Sequence, residues 1–186
     1  VHHHHVRVAG PAPEFRFGAD APQDRLTRDA AAIQKRLEAD PTEPNLYLQL
    51  AQLYRRHGAD DRARAALQQG LGPTGNHFSL QLELAELDLA PLRQNLEATE
   101  ARLKALRAGG ADAGGPSEAE LKAARAKLLK EVLAREAEIY RTRADRFPTD
   151  MGHRYELGVR LLKLDKPDEA VGEFQQARRD ERYKAR

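Results

Sequence analysis

The side chains best suited to chemistry here are histidines and paired acids and bases, and neither set is arranged for catalysis. His2–His5 form a consecutive tract, and imidazole ligates zinc or nickel. Consecutive histidines in a proline-rich arm do not preorganise a metal site, so a purification-tag remnant or a plain polar tract is the simpler reading. His57, His77 and His153 fall at the ends of helical stretches, with no serine or cysteine nucleophile constellation nearby in sequence. The glycines at 70, 72 and 75 lack the Lys-Ser/Thr that completes a phosphate-binding loop. Glu and Arg residues along 118–146 recur at the spacing of solvated i,i+4 pairs, not of an acid–base dyad. The sequence therefore predicts no enzyme: no catalytic residue, no metal site and no cofactor.

Composition says what must position these residues. Alanine, leucine, glutamate and arginine dominate the 186 residues, and aromatics make up only 5%. Such side chains lose little rotamer freedom in a helix, whereas the β-branched and aromatic residues that fill sheets are few. An all-α fold follows. The formal charge is +2, with acids and bases interleaved and no concentrated basic stripe. Nucleic-acid binding draws its affinity from such a stripe, so no nucleic-acid partner is expected. No apolar run approaches the roughly 20 residues that span a bilayer, and no signal peptide opens the chain. Cysteine is absent, which removes disulfides and thiolate metal sites. A cytoplasmic location is the expectation; the same features are compatible with a periplasmic or membrane-tethered parent.

Residues 1–22 read as an irregular arm, with prolines at 11, 13 and 22 and only the short apolar pairs Val6/Val8 and Phe15/Phe17. From Asp24 the pattern turns helical: Leu26, Ala30, Ile33 and Leu37 recur at three- and four-residue spacing. That helix must stop before Asp40-Pro41. Further helices are predicted over about 44–57, 61–70, 78–107, 118–146, 151–164 and 167–180. Gly58 supplies the first turn, with Asp60 as N-cap of the helix that follows. Gly70 to Gly75 is a loop dense in helix breakers. Pro91 kinks the long fourth helix without ending it. Residues 109–116 form a flexible exposed tip, after which Ser117-Glu-Ala-Glu120 is a capping box.

Two stretches repeat a recognisable pattern. One is Tyr47-x-x-Leu50-Ala51-x-x-Tyr54-x-x-x-Gly58, followed by Ala63 and Leu67; the other is Leu157-Gly158-x-x-Leu161, followed by Ala170, Phe174 and Ala177. Pro41 and Pro148 close the preceding units. The pattern resembles the tetratricopeptide (TPR) consensus over residues 23–186, with a middle hairpin, 78–147, stretched beyond the family's length. The resemblance implies an α-solenoid of helical hairpins. It also implies a concave surface of first-helix side chains that holds a protein or peptide partner. Its candidate residues are Asn45, Leu48, Gln52 and Arg55, then Leu82 and Glu86, then Tyr155, Val159 and Leu162. Leu48 and Gln52 do not reproduce the family's carboxylate clamp for chaperone tails.

Three further expectations follow. Self-association is possible, the alternative being a structural element whose 78–147 hairpin pairs with another copy through Leu121, Leu128, Leu129 and Val132. Gly158 occupies a helix–helix contact, so Gly158→Leu destabilises, while Gly110→Ala in the tip is nearly silent. The repeat is unfinished at Arg186, so the chain reads as a fragment, from a bacterial parent with further units.

Overall fold

The computed structural model describes residues 21–110 and 114–184, with side chains as far as Arg179. The arm therefore lies outside the described residues except for Ala21 and Pro22, and so do the His2–His5 tract and the centre of the tip. Pro22 already belongs to the first helix. Among the described residues there are seven helices and no strand: α1 Pro22–Ala39, α2 Pro44–Arg56, α3 Asp60–Leu71, α4 Phe78–Arg107, α5 Glu118–Arg146, α6 Met151–Lys163 and α7 Pro167–Lys184.

Local chemistry explains the boundaries. The Glu43 carboxylate accepts from the Asn45 amide at 3.2 Å, and Pro44 costs α2 nothing in its first turn. Asp150 does the same for the Gly152 amide at the start of α6, at 3.1 Å. Ser117 Oγ accepts from the Glu120 amide at 3.1 Å, the forward half of the predicted capping box. Asp60 is not the N-cap of α3. Ala59 holds that place without a side-chain bond, and Asp60 with Asp61 sits in the first turn, where carboxylates favour the helix dipole. Helix α4 continues through Pro91, which is exposed, so the missing hydrogen bond opens toward water.

The tip corrects one expectation. Gly109, at φ +90°, turns the chain back over the end of α4, and the Gly110 amide donates to the Ala105 carbonyl at 3.1 Å. A methyl group on Gly110 would lie 2.9 Å from that same oxygen. Exposure alone does not make Gly110→Ala silent.

Each helix packs on the next, and α2 also touches α4. No single hairpin hides its apolar face, so the stack buries a chain of cores instead. The first joins Leu26, Tyr47, Leu50, Leu67, Leu80 and Leu87 from α1 to α4. The second, Leu89, Val132 and Ile139, lies within the long hairpin, and the third, Ala137, Leu157, Leu161 and Ala170, ties α5 to α6 and α7. The fold is an all-α solenoid of helical hairpins with one hairpin elongated.

Two hairpins repeat in detail. The starts of α2 and α6 (Pro44, Met151) are 107 residues apart, and so are the starts of α3 and α7 (Asp60, Pro167). Under that shift Glu43 matches Asp150 as the capping acid. Gly58, at φ +72°, matches Asp165, at φ +59°, in the left-handed turn between helices.

Candidate partner-binding surface

The outward offsets of α2, α4 and α6 were the expected groove. On α2, Asn45 and Gln52 are exposed, while Leu48 leans into the first core and is half-buried. Arg55 is not free: its guanidinium donates to Glu83 of α4 at 2.7 Å. On α4, Leu82 packs against the second core and lines an open cavity of about 500 Å³ between α4 and α5, with Ala85, Asp88, Arg135 and Ile139. Glu86 is also committed, accepting from Arg93 at 3.2 Å and facing Arg143 at 3.6 Å. On α6, Val159 is half-buried, and Tyr155 and Leu162 are each 55% exposed.

The nine residues do not converge on one surface. Although α2 and α4 touch, Leu82 and Glu86 turn to α5 rather than to α2, and α4 and α6 meet only through α5. Outward offset tells which side chains leave their own hairpin, not what stands opposite them. Arg55 and Glu86 are therefore spent on neighbouring helices.

What sequence reading missed is the ion-pair chain that links those helices. Glu86 holds Arg143 and Arg93; Arg93 reaches Glu136 at 3.0 Å; Glu136 faces Arg160 at 3.7 Å; and Arg160 pairs with Glu156. Tyr140 lies beside this chain, with the Arg143 and Arg160 guanidinium carbons 5.6 and 4.7 Å from its ring centre. Burial pushes the Arg93 pKa down, but its hydrogen bonds and charge interactions with Glu136 and Glu86 outweigh that, and the net direction is up. Three acids and three arginines balance, so the chain carries no net charge. It fixes the α4–α5–α6 register rather than attracting a charged ligand. A signal existed: Glu86/Arg93 and Glu136/Arg143 carry the same seven-residue spacing on two antiparallel helices.

A second missed feature is aromatic. Phe147 meets Phe78 edge-on, with ring centres 5.6 Å apart, and lies 6.1 Å from the His153 ring; Arg146 covers Phe78 at 4.6 Å. These contacts join the start of α4 to the start of α6, and give His153 a packing role. Among the described residues no group of three or more His, Asp or Glu side chains is placed to hold a metal. No helix there is long and apolar enough to cross a membrane.

These features define a class of architecture, a stacked set of helical hairpins with an internal repeat. No protein-family model and no curated protein matches the chain. Among solved structures it is similar to two of MamA, at 18% identity. One alignment covers 90% of this chain and 98% of that one with a TM-score of 0.36; the other covers 88% and 86% with a TM-score of 0.39. A MamA double mutant aligns over 88% and 87%, also at 18% identity, with a TM-score of 0.33. Superposition at that level adds nothing to the fold read directly from the helices.

Proposed function

We propose that this chain is a protein-interaction scaffold of tetratricopeptide type, holding a peptide or a partner domain rather than catalysing a reaction. The observation that carries this reading is the 107-residue internal repeat, with small buried residues at each helix contact: Ala51 and Ala63 in one hairpin, Gly158 and Ala170 in the other. Close-packed hairpins of this kind have rigid backbones and variable outer faces. The binding surface proposed is the α2 part of the expected groove, where Asn45, Leu48 and Gln52 follow i, i+3, i+7 on one helical face. A protein or peptide fits this mixed, uncharged surface; a nucleic acid or a bilayer does not. Photo-crosslinking from positions 45, 48 and 52 in cells should yield one common adduct. Position 124, exposed on α5, serves as the control. Equal labelling from the control would sink the reading.

The self-assembly alternative is less well supported. Leu121 and Val132 are buried within the α4–α5 hairpin, and Leu128 and Leu129 are half-buried. The seam it needs is largely consumed at home.

A further inference from the structure

The net charge of +2 is unevenly spread along the fold. Residues 100–130, the outer part of the long hairpin, carry seven Lys and Arg against four Asp and Glu, a net charge of +3, so the rest of the chain is slightly acidic. This region is also set apart in space. The contacts that seat α4 on α2 and α3 lie at residues 80–88, and those that seat α5 on α6 and α7 lie at 136–140. At 1.5 Å per residue, position 104 is roughly 20 Å along α4 from its nearest seat. Further hairpins of a solenoid stack on its end helices, so this outer arm is not where a neighbouring repeat packs.

One flank of the arm holds an open cavity of about 460 Å³, lined by Glu100, Leu103, Lys104, Arg107 and Arg125. Leu103 is buried and gives the cavity an apolar floor. Glu100, Lys104 and Arg107 follow i, i+4, i+7 on α4, and Arg125 stands across from them on α5. Arg125 donates to Glu100 at 3.2 Å, Arg107 donates to Glu118 at 3.2 Å, and Lys122 lies 3.3 Å from Glu118. Both arginines donate through Nε, so their paired Nη groups have no bond to a described residue. Lys104 has no acidic partner among the described residues. Two glutamates thus face four cations. Hydrogen bonds from Arg107 and then Lys122 hold the Glu118 carboxyl below its ordinary range, so a carboxylate on this rim is stabilised by its surroundings.

We infer that this cavity binds an acidic segment of a partner protein, with one aliphatic side chain over Leu103 and carboxylates on Lys104 and on the Nη forks of Arg107 and Arg125. A concave, part-apolar site favours that occupant over a phosphate polymer or a bilayer, because Glu100 and Glu118 interrupt the basic track that either would follow. The chain's own first twenty residues balance Arg7 and Arg16 with Glu14 and Asp20, and so lack the complementary charge. The cavity is separate from positions 45, 48 and 52 of α2. Position 124 lies about 100° around α5 from Arg125, on the other flank of that helix.

The test uses a fluorescent peptide, Asp-Glu-Glu-Leu-Glu-Asp, and a copy with glycine in place of leucine. The leucine peptide should bind the full chain, more weakly as salt rises, and about threefold or more tighter than the glycine copy. In a Lys104→Ala/Arg107→Ala chain its affinity should fall about tenfold or more, because two charge-assisted bonds are lost. Lys127→Ala/Lys130→Ala removes the same charge from exposed positions on another face of α5, and should change affinity by less than about twofold. An unchanged helical spectrum confirms that both variants fold. No binding, equal losses in the two variants, or equal affinity for the glycine copy would each overturn the site. So would tighter binding of a thymidine oligonucleotide or of phosphatidylglycerol vesicles that Lys104→Ala/Arg107→Ala abolishes, since the ligand would then be phosphate. Sedimentation supplies the remaining arm: a wild-type dimer abolished by the same double substitution would make the occupant a second copy, and the partner assignment would be wrong.

Discussion

The α2–α3 and α6–α7 hairpins share first-helix length, capping acid and left-handed turn, yet they solve the same packing problem in opposite ways. In the first, the close approach is made by a glycine on the second helix: a methyl on Gly70 would lie 2.6 Å from the ring of Tyr47. In the other, the glycine is on the first helix, and a methyl on Gly158 would lie 2.6 Å from the ring of Phe174. Glycine and aromatic have changed sides. The surroundings differ too, because α4 closes over the first pair while the second borders an open cavity of about 540 Å³ lined by Tyr155, Phe174 and Ala177. Backbone geometry is thus kept by either arrangement, and what varies is how much room the aromatic has to move.

That difference predicts unequal penalties for the same substitution. Tyr47 is 4% exposed, its hydroxyl donates to the Pro41 carbonyl at 2.7 Å, and Leu80 on the other side is fully buried. Gly70→Leu should therefore cost about 3 kcal/mol or more, at the upper end of overpacking. Phe174 is half-buried beside the cavity and can swing outward, so Gly158→Leu should cost about 1–3 kcal/mol. Urea midpoints of the two variants decide the matter. Equal losses would mean that the open cavity gives Phe174 no freedom.

Much of this architecture is legible in the sequence, for a local reason. Helix periodicity, proline and glycine punctuation and the Ser117 cap all act within a few residues of where they are read, and the seven helices fall where expected. Helix α7 runs to Lys184, four residues past its expected end at 180. The Gly158 contact was legible because the repeat places a small residue there. Gly70 was not. It reads as the first breaker of a loop, and only the fold shows it buried inside α3 against Tyr47. The candidate surface was the least legible part, since Arg55 and Glu86 are claimed by partners 28 and 57 residues away, and only the second pairing left a trace, in the matched seven-residue spacing of Glu86/Arg93 and Glu136/Arg143.

Next in size is the hydroxyl that pins Tyr47. Tyr47→Phe leaves the Pro41 carbonyl without that donor and should cost about 1 kcal/mol, the usual net value of such a bond. A loss near zero would show that water replaces the hydroxyl, and that ring burial alone holds Tyr47 against Gly70. The ion pairs to α4, Arg55 with Glu83 and Arg64 with Asp88, should matter less. Leu162 and Val171 stand at those places in the other hairpin. Converting the first to that chemistry, by Arg55→Leu with Arg64→Val, removes two partly exposed pairs, each worth about 0–1 kcal/mol. Thermal melts at low and high salt would check the sign: the gap between variant and parent should shrink as salt screens the pairs.

The smallest effect expected is at the turns, where the comparison is closest. Gly58 and Asp165 hold the same left-handed conformation, at φ +72° and +59°. A side chain in that region costs about 1–2 kcal/mol in general, but aspartate tolerates it better by bonding to its own local backbone. Asp165→Gly removes the remaining strain and also frees the unfolded chain, and the second effect opposes the first by about 0.4–1 kcal/mol. The two should nearly cancel, leaving a change within about 0.5 kcal/mol of zero. Gly58→Asp should be mildly destabilising at most for the converse reason, since the backbone strain enters but an added Cβ there meets nothing within 4 Å. A melting-point loss for Asp165→Gly as large as that of Tyr47→Phe would show that the Asp165 carboxylate holds its turn through a bond that Gly58 does without, and the two turns would then be alike in shape but not in cause.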